Sequence, residues 1–367
     1  IPGLIDTPTE AVIAELTDNS VENKATKERV HLYGNSWEDF AIIVLDNGDG
    51  FETRDQLGKS FELAIEEYVT EQIISKNHIG MKLTPLSICN IVSVYTRIDN
   101  SIEHMKLDRK IVKDEGGYGT SSIEEESSVA DYVRDLLSSV HEIGGDSSEW
   151  TTAVVMSDFT TEEGDYRPAF SIHANDAGRK KYIDHLCHYL GIVYQEFLDG
   201  SHPDIPLQAI VVTTKTDSEE DHSQNVRSMN PFWDSLTPDQ INRRLELPPN
   251  DPYGITDNHR NKMQCLREFG TIATNRIPVP IQLSNRQVHT VFITGYVLPP
   301  RFTRHGPNSF PTKYTNGLID VGPSRTGSDS LRSGNMSGFF FYRNGRCICF
   351  GNTGPRSKNG WYALADS

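Results

Sequence analysis

The stretch Ala41–Leu45, which reads AIIVL, is a continuous apolar run that ends abruptly at the turn sequence DNGDG. A strand without polar alternation has to be covered on both faces, so this run predicts a fully buried strand in a layered α/β molecule. Gly48 and Gly50 allow positive φ and close approach of a ligand, and Asp46 places a carboxylate at the strand end. Taken alone, the turn fits an ordinary hairpin or a calcium-type acidic loop, although the spacing and distal glutamate of an EF-hand are absent.

A helix is expected over Ala11–Asn23. Thr7, Pro8 and Glu10 supply a hydroxyl cap, a proline at the first helical position and a capping glutamate. One face of this helix carries polar residues at i, i+3, i+4 and i+7, namely Glu15, Asp18, Asn19 and Glu22. Like charges at this spacing repel each other. The stripe is therefore either a solvated face or a face turned toward a cation, or toward a water that must be deprotonated.

Composition limits the classes of function. A chain of 367 residues can bury a substantial core and is long enough for two domains. Its 35 basic and 51 acidic residues give a net charge of −16, so no broad electrostatic footprint for nucleic acid is evident. No apolar run could span a bilayer, and the N-terminus lacks the regions of a signal peptide. We expect a soluble protein of the cytoplasm, or of the nucleus in a eukaryote, and the absent initiator methionine suggests a processed chain or a fragment.

The five cysteines form an odd and scattered set. This pattern favours reduced, mostly buried thiols over a disulfide framework. Two acidic segments, KDEGGYGTSSIEEESS and TKTDSEEDHSQNVRS, interrupt the predicted elements, and we expect both to be solvated loops. On these patterns alone, the fold class is mixed α/β.

The order of three motifs adds a family resemblance. A helix with Glu-x-x-x-Asn, a strand ending in Asp-x-Gly-x-Gly, and a glycine-containing loop that opens a helix appear in AELTDNSVENKA, DNGDGF and HIGMKL. They resemble the N-box, the adenine motif and the phosphate lid of the GHKL ATPases, a group named for gyrase, heat-shock chaperones, histidine kinases and MutL. TTAVVMSD resembles the closing strand of that fold. DHLCHYLGIVYQEFLDG, NPFWD and SGFFFYRNGRCICFG resemble segments of MORC-like (microrchidia-like) and bacterial heat-shock-like ATP-binding proteins.

The resemblance implies a role for each matching residue. Glu15 would be the general base that polarises the attacking water, and Asn19, one helical turn away, would hold Mg²⁺ through its side-chain oxygen. Asp46 would accept a hydrogen bond from the adenine amino group, and Thr152 would support that contact. The two glycines of the turn, Gly48 and Gly50, would make room for the base and the ribose.

Around the phosphates this chain departs from the family pattern. Relatives usually show G-x-G-x-K, whereas this chain has Gly80-Met81-Lys82-Leu83-Thr84, in which Lys82 replaces a glycine and Thr84 replaces the usual lysine. Backbone amides of Gly80 and Met81 could still cradle a phosphate, and Lys82 could supply the charge from a shifted position. A pseudo-ATPase that keeps the fold without turnover is therefore an alternative.

The resemblance also implies an architecture. We expect a Bergerat-type two-layer α/β sandwich in residues 1–200, with helices on one face of a mixed sheet. A smaller transducer-like α/β domain would follow in residues 201–367, truncated at its C-terminal end. In relatives, the segment that resembles SGFFFYRNGRCICFG is a strand of this second domain, and a lysine or arginine farther along reaches the γ-phosphate. Lys313 and Lys358 are weak substitutes, so we expect that cation to lie beyond Ser367.

The implied function is Mg-dependent ATP binding with slow hydrolysis to ADP and phosphate, used as a conformational switch that drives formation of a homodimer. ATP and Mg²⁺ are the expected cofactors, and nucleic acid would be bound only through regions outside this chain. The ATPase part of a type II topoisomerase or of a mismatch-repair protein, and a non-catalytic scaffold module, are the alternatives. A histidine kinase would need a phosphoacceptor histidine upstream of the N-box, where this chain begins.

Overall fold

The structure is a computed structural model, and it describes residues 8–34, 39–61, 84–99, 101–110, 120–121, 127–138, 140–143, 146–161, 164, 176–200, 202, 207–215, 222–228, 272–273, 275–282, 288–297 and 340–349. The chain divides into two compact units. Residues 1–228 and 342–348 form the first unit, and residues 229–341 and 349–367 form the second. The first unit thus includes two stretches that follow the boundary expected at residue 200.

A mixed sheet lies at the centre of the first unit. The strands of this unit are β1 (Lys27–Tyr33), β2 (Ala41–Asp46), β3 (Ile91–Ile98), β4 (Ser101–Asp108), β5 (Thr120–Ser121), β6 (Val140–Ile143), β7 (Asp146–Glu149), β8 (Thr152–Ser157), β9 (Ala209–Lys215) and β10 (Ser223–Asn225). Eight of them pair in the order β10-β9-β1-β2-β8-β3-β4-β5, and β6 pairs with β7 separately. Within the sheet, β1 runs parallel to β9, and the other neighbouring strands are antiparallel. All six residues of β2 are buried, as the apolar run predicted.

The helices of the first unit are α1 (Thr9–Glu22), α2 (Arg54–Phe61), α3 (Ser128–Ser138), α4 (Asp176–Val193) and α5 (Gln195–Leu198), with a short 3-10 helix over Pro85–Ser87. On one face of the sheet, α3 packs against alternate residues of β2 and β8. The core of this face consists of Ala41, Ile43, Leu45, Tyr95, Ala130, Val133, Leu136, Leu137, Trp150, Ala153, Val155 and Val211. The guanidinium of Arg29 lies 5.7 Å from the centre of the Trp150 ring on the same face.

The opposite face of the sheet is covered by α1. Thr17 of α1 donates a hydrogen bond to Glu28 of β1 at 2.7 Å, and α4 contacts both α1 and β9. The mixed α/β class is therefore confirmed, but the expectation that helices lie on only one face is wrong, because α3 lies on the face opposite α1. The physical reason is that β2 is apolar on both sides and both sides need cover.

The ends predicted for α1 and β2 differ from the observed ones by at most two residues. The helix α1 begins at Thr9, and Pro8 occupies the N-cap position without a side-chain capping bond. Thr7, the expected capping residue, lies outside the described residues. None of the helices that the structure describes is long and apolar enough to cross a membrane. Cys89, Cys187 and Cys347 are free thiols and are buried, as the sequence predicted for most cysteines.

Two short antiparallel pairs are described in the second unit. These are β11 (Ile272–Ala273) with β14 (Tyr296–Val297), and β12 (Ile277–Gln282) with β13 (Val288–Ile293). Near the end of the chain, β15 (Phe341–Arg343) pairs with β16 (Arg346–Cys349). Residues 342–348 of this C-terminal hairpin group with the first unit.

Candidate functional site

Three rows of side chains run across β1, β2, β8 and β3 on the face that α1 covers. Two rows are apolar, and they consist of Leu32, Ile42, Met156 and Val92, and of Val30, Val44, Val154 and Val94. The third, which we call the polar row, consists of Glu28, Asp46, Thr152 and Thr96. These four residues are only 0, 7, 6 and 0% exposed, in that order. Buried polar groups cost free energy unless a partner satisfies them, so a polar row on an otherwise apolar face indicates a binding site.

Asp46 has one carboxylate oxygen engaged by the protein and one open to a ligand. Its Oδ1 accepts the backbone N–H of Gly48 at 2.9 Å, whereas no group in the described part of the chain donates to Oδ2. Burial raises the pKa of Asp46 to about 6, and the N–H of Gly48 opposes this rise. Thr152 lies directly opposite Asp46, and its hydroxyl has no hydrogen-bond partner among the described residues. The pair can recognise a ligand edge that places a hydrogen-bond donor beside an acceptor.

The turn after β2 is tied to the chain segment that follows α1. Asn47 Oδ1 accepts the backbone N–H groups of Thr26 at 2.9 Å and Lys27 at 2.8 Å. The backbone N–H of Asp49 donates to the carbonyl of Asn23 at 2.7 Å. These bonds fix the DNGDG turn against the end of α1. They therefore fix the position of Asp46 relative to this helix.

The two glycines of this turn are required for different reasons, Gly48 by close approach and Gly50 by its positive φ. A Cβ atom on Gly48 would lie 2.5 Å from the carbonyl oxygen of Asn23, which real structures do not tolerate. Gly50 has a φ of +66°, and its Cβ would lie 3.5 Å from the hydroxyls of Thr152 and Thr96. A side chain at this position would lie against Thr152 and Thr96 of the polar row.

The polar stripe of α1 divides into an inward and an outward part. Asp18 is buried, with 1% of its surface exposed, and its Oδ1 accepts a hydrogen bond from the Tyr194 hydroxyl at 2.7 Å. The same oxygen lies 2.6 Å from Nε of Arg346. Burial raises the pKa of Asp18 to about 7, opposed by the positive charge of Arg346 and the Tyr194 hydroxyl. The cation that Asp18 faces is thus supplied by the protein itself.

Glu15 and Asn19 lie one turn apart on α1 and are half-buried. The Glu15 side chain is 36% exposed, and its Oε1 accepts a hydrogen bond from Nη2 of Arg346 at 3.1 Å. Its other oxygen, Oε2, has no partner in the ranges that the structure describes. The Nδ2 atom of Asn19 is buried and likewise makes no hydrogen bond there. One turn of α1 therefore presents an open carboxylate oxygen and, on Asn19, an amide oxygen that accepts no hydrogen bond from the described residues.

These groups fit a magnesium ion that is bound together with a phosphate ligand. Carboxylate and amide oxygens are ligands that Mg²⁺ accepts, and the ion usually takes most of its coordination from water and phosphate. Within the described residues, no group of three or more His, Cys, Asp or Glu could hold a metal without such help. Asn19 would hold the ion, and the ion would neutralise phosphate charge when bound.

The expected phosphate contacts at Gly80, Met81 and Lys82 lie outside the described residues, as do Lys313 and Lys358. The structure brings Asp46, Gly48, Gly50 and Thr152 together around the polar row. Glu15 and Asn19 belong to α1, which reaches the row through Thr17 and Glu28.

Sequence reasoning missed Glu28, Thr96, Tyr194 and Arg346. Glu28 stands in KERVHLY, where its charged neighbours resemble an exposed strand end, although alternation with Val30 and Leu32 places it on their face. Arg346 follows an Asn-Gly pair, which is a strong hairpin signal, but nothing local to the hairpin indicates its distant partner on α1.

Comparison with known proteins gives one family. A family model described as "Histidine kinase-, DNA gyrase B-, and HSP90-like ATPase" matches residues 7–142. The match includes α1, the DNGDG turn and three members of the polar row, and it ends before Thr152. No curated protein matches the chain.

Among solved structures, the chain is similar to one described as "Crystal Structure of N terminal domain of a DNA repair protein". The two are 13% identical, and the similarity covers 80% of this chain and 70% of the other, with a TM-score of 0.32. A likeness at this level carries no argument about function. The family match is limited to residues 7–142 and is consistent with the mixed α/β architecture of the first unit.

Proposed function

We propose that this chain binds ATP with Mg²⁺ and hydrolyses it slowly to ADP and phosphate. The observation that carries the proposal is the open Oδ2 of Asp46 beside the unpartnered hydroxyl of Thr152, at a glycine turn on an otherwise apolar face. The amino group of adenine is a donor that fits the open carboxylate oxygen. The family match supports ATP binding, because this superfamily consists of ATP-binding domains.

Each residue has a role in this proposal. Asp46 and Thr152 bind the adenine edge, and Gly50 leaves space beside them. Asn19 holds Mg²⁺, and Glu15 accepts the proton of the attacking water through its open oxygen. The backbone at Gly80, Met81 and Lys82 contacts the phosphates.

The output of binding is a conformational switch, as in MORC-like relatives, with formation of a nucleotide-dependent homodimer. In this proposal, residues 201–367 supply a transducer-like domain, and the protein is cytoplasmic or nuclear. A pseudo-ATPase that binds nucleotide without turnover is the second candidate. The observation that favours it is the contact of Glu15 Oε1 with Arg346, which occupies one of the two oxygens of the proposed base.

The first prediction concerns Asp46→Asn. Asparagine keeps Oδ1 for the N–H of Gly48 but replaces the open Oδ2 with an amide donor, which faces the adenine amino group with the wrong polarity. The loss of a charged acceptor costs about 1.5–3 kcal/mol, which corresponds to at least about tenfold weaker binding. Calorimetry with a non-hydrolysable ATP analogue and Mg²⁺ measures this change.

Asp49→Asn is the matched control, because Asp49 belongs to the same turn but is exposed and paired with Lys24. We expect this variant to bind the analogue as the unmutated chain does. Equal loss in both variants would point to general damage to the turn and would contradict the assignment of Asp46. If the unmutated chain does not bind nucleotide at millimolar concentration, the proposed function is wrong.

A further inference from the structure

Arg346 reaches the opening helix from a distant part of the chain. Its Nη2 lies 3.1 Å from Glu15 Oε1, its Nε lies 2.6 Å from Asp18 Oδ1, and its side chain is only 8% exposed. We propose that Arg346 is a positioning residue for the reaction: it orients the Glu15 carboxylate so that the open oxygen can accept the proton of the attacking water. This inference rests on the function proposed above.

The guanidinium can fix the orientation of Glu15 because it is itself anchored. The Asp18 carboxylate forms an ion pair with the guanidinium, with Oδ1 2.6 Å from Nε, and the hydroxyl of Tyr194 is shared between Asp18 and the backbone carbonyl of Ala14 on α1. Tyr194 is fully buried, so this anchor is shielded from water. A guanidinium is planar and presents its donors in a fixed fork. The buried ion pair with Asp18 and the hydrogen bond to Glu15 therefore restrict the guanidinium from two sides.

The backbone of the C-terminal hairpin is also held in place. Asn344 and Gly345 form its two-residue turn with φ values of 49° and 81°, the positive values that tight hairpins favour. A Cβ on Gly345 would lie 2.6 Å from His202 and 2.7 Å from Phe197. Arg346 thus follows directly on a turn packed against the region of α5, and its side chain starts from a defined point.

The contact leaves Glu15 with one oxygen held and one open. A carboxylate that can rotate freely spends little time in a reactive geometry, and misplacement by about 1 Å can cost about 100-fold in rate. A purely structural ion pair between the hairpin and α1 is the competing explanation. Both explanations predict that losing Arg346 lowers stability. Only the positioning role predicts a loss of turnover that depends on Glu15.

The test is Arg346→Lys in the full chain. Lysine keeps the positive charge near Asp18 but has one nitrogen and cannot bridge both carboxylates with a fixed fork. We expect nucleotide Kd and KM to stay within about threefold and kcat to fall at least about tenfold, as for a group that acts only in the transition state. Arg343→Lys, the same change in the same hairpin, serves as the control and should retain kcat.

A second measurement links the loss to Glu15. When Glu15→Ala is already present, adding Arg346→Lys should lower the remaining turnover no further, because the group being positioned is gone. Independent additive losses would overturn the inference. Should Arg346→Lys fail to fold, Tyr194→Phe removes the hydroxyl that contacts Asp18 and Ala14 but keeps Arg346 and Glu15, and a lower kcat with unchanged KM is expected from it.

Binding of ADP with aluminium fluoride supplies a readout that does not need turnover. The unmutated chain should bind this mimic of the reacting phosphate more tightly than ADP, and Arg346→Lys should lose most of that preference. A variant that keeps both kcat and the preference overturns this inference while ATP binding stands. An unmutated chain that binds ADP and aluminium fluoride no better than ADP, and shows no turnover, also overturns it. A chain that binds no ATP at all overturns the proposed function as well.

Discussion

At the residue scale, Glu28 shows how strongly the polar row departs from ordinary core chemistry. Burial raises the pKa of this carboxyl group from 4.5 to about 8, although hydrogen bonds from Ser20 and Thr17 oppose the rise. The nearby carboxylates of Asp46 and Asp18 raise it further. Glu28 is therefore protonated near neutral pH, and the row carries a neutral acid next to Asp46.

The second prediction follows from the direction of this shift. An acid whose folded pKa lies above its unfolded value contributes stability that is fully present below about pH 4.5 and is lost as the pH rises through about 8. Glu28→Gln removes the titration and can keep the acceptor for Thr17. As the pH rises from 5 to 9, the free energy of unfolding of the Glu28→Gln variant should fall less than that of the unmutated chain. The difference should be on the order of a few kcal/mol, because one pKa unit corresponds to about 1.4 kcal/mol.

Urea unfolding across this pH range measures the effect. Glu52→Gln is the matched control, because Glu52 is exposed and should leave the pH dependence unchanged. The assignment of a neutral Glu28 is contradicted if Glu28→Gln keeps the full slope of the unmutated chain.

At the scale of elements, the turn between β2 and α2 is the most constrained part of the site. Gly48 has no room for a side chain against the backbone of Asn23, while Asn47 ties the turn to the start of β1. The third prediction is that Gly48→Ala destabilises the first unit by about 1–3 kcal/mol, the range typical of overpacking. Unfolding by urea, with Gly58→Ala beside it, provides the measurement.

Gly58→Ala is expected to have the opposite sign. Gly58 lies within α2, and its Cβ would meet only the end of Met105 at an ordinary contact distance of 3.7 Å. Alanine is favoured over glycine inside a helix by up to about 1 kcal/mol, so this variant should be more stable. Destabilisation by both substitutions would indicate that an added methyl group is harmful at either position. This result would contradict a specific steric requirement for glycine at position 48.

Elements were predictable where the signal was local. Apolar periodicity placed α1 and β2 within two residues of their observed bounds, and the spacing of Glu15 and Asn19 followed from the helical period. The face on which α3 packs was not predictable, because β2 is apolar on both sides and offers no preference. The polar row was not predictable from the sequence, because its members become neighbours only through the strand register. That register sets Asp46 opposite both Glu28 and Thr152, and no single segment of the sequence contains it.

At the scale of the whole molecule, the first compact unit is assembled from two distant parts of the sequence. Residues 342–348 join residues 1–228, and the contact of Arg346 with Glu15 spans 331 positions. Long-range partners of this kind leave no periodic signal, so nothing in the sequence indicated that Arg346 contacts α1. The cation that the structure brings to α1 is Arg346.

The last prediction is that the first unit depends on the C-terminal hairpin for stability. A chain that ends at residue 341 loses Arg346 and leaves Asp18 buried without a cation. Breaking a buried pair on one side typically costs about 3–5 kcal/mol, so its unfolding midpoint should fall well below that of a chain ending at residue 349.

Asp18→Asn separates this electrostatic cause from the mere loss of packing. In the chain ending at residue 349, the substitution breaks the pair with Arg346 and should destabilise. In the chain ending at residue 341, the substitution removes a buried carboxylate that has already lost Arg346, and it keeps an oxygen that can accept the hydrogen bond of Tyr194. It should therefore lower the free energy of unfolding little, or even raise it. Equal effects of Asp18→Asn in both chains would mean that Arg346 and Asp18 contribute independently, because a double-mutant cycle of two coupled groups cannot be additive.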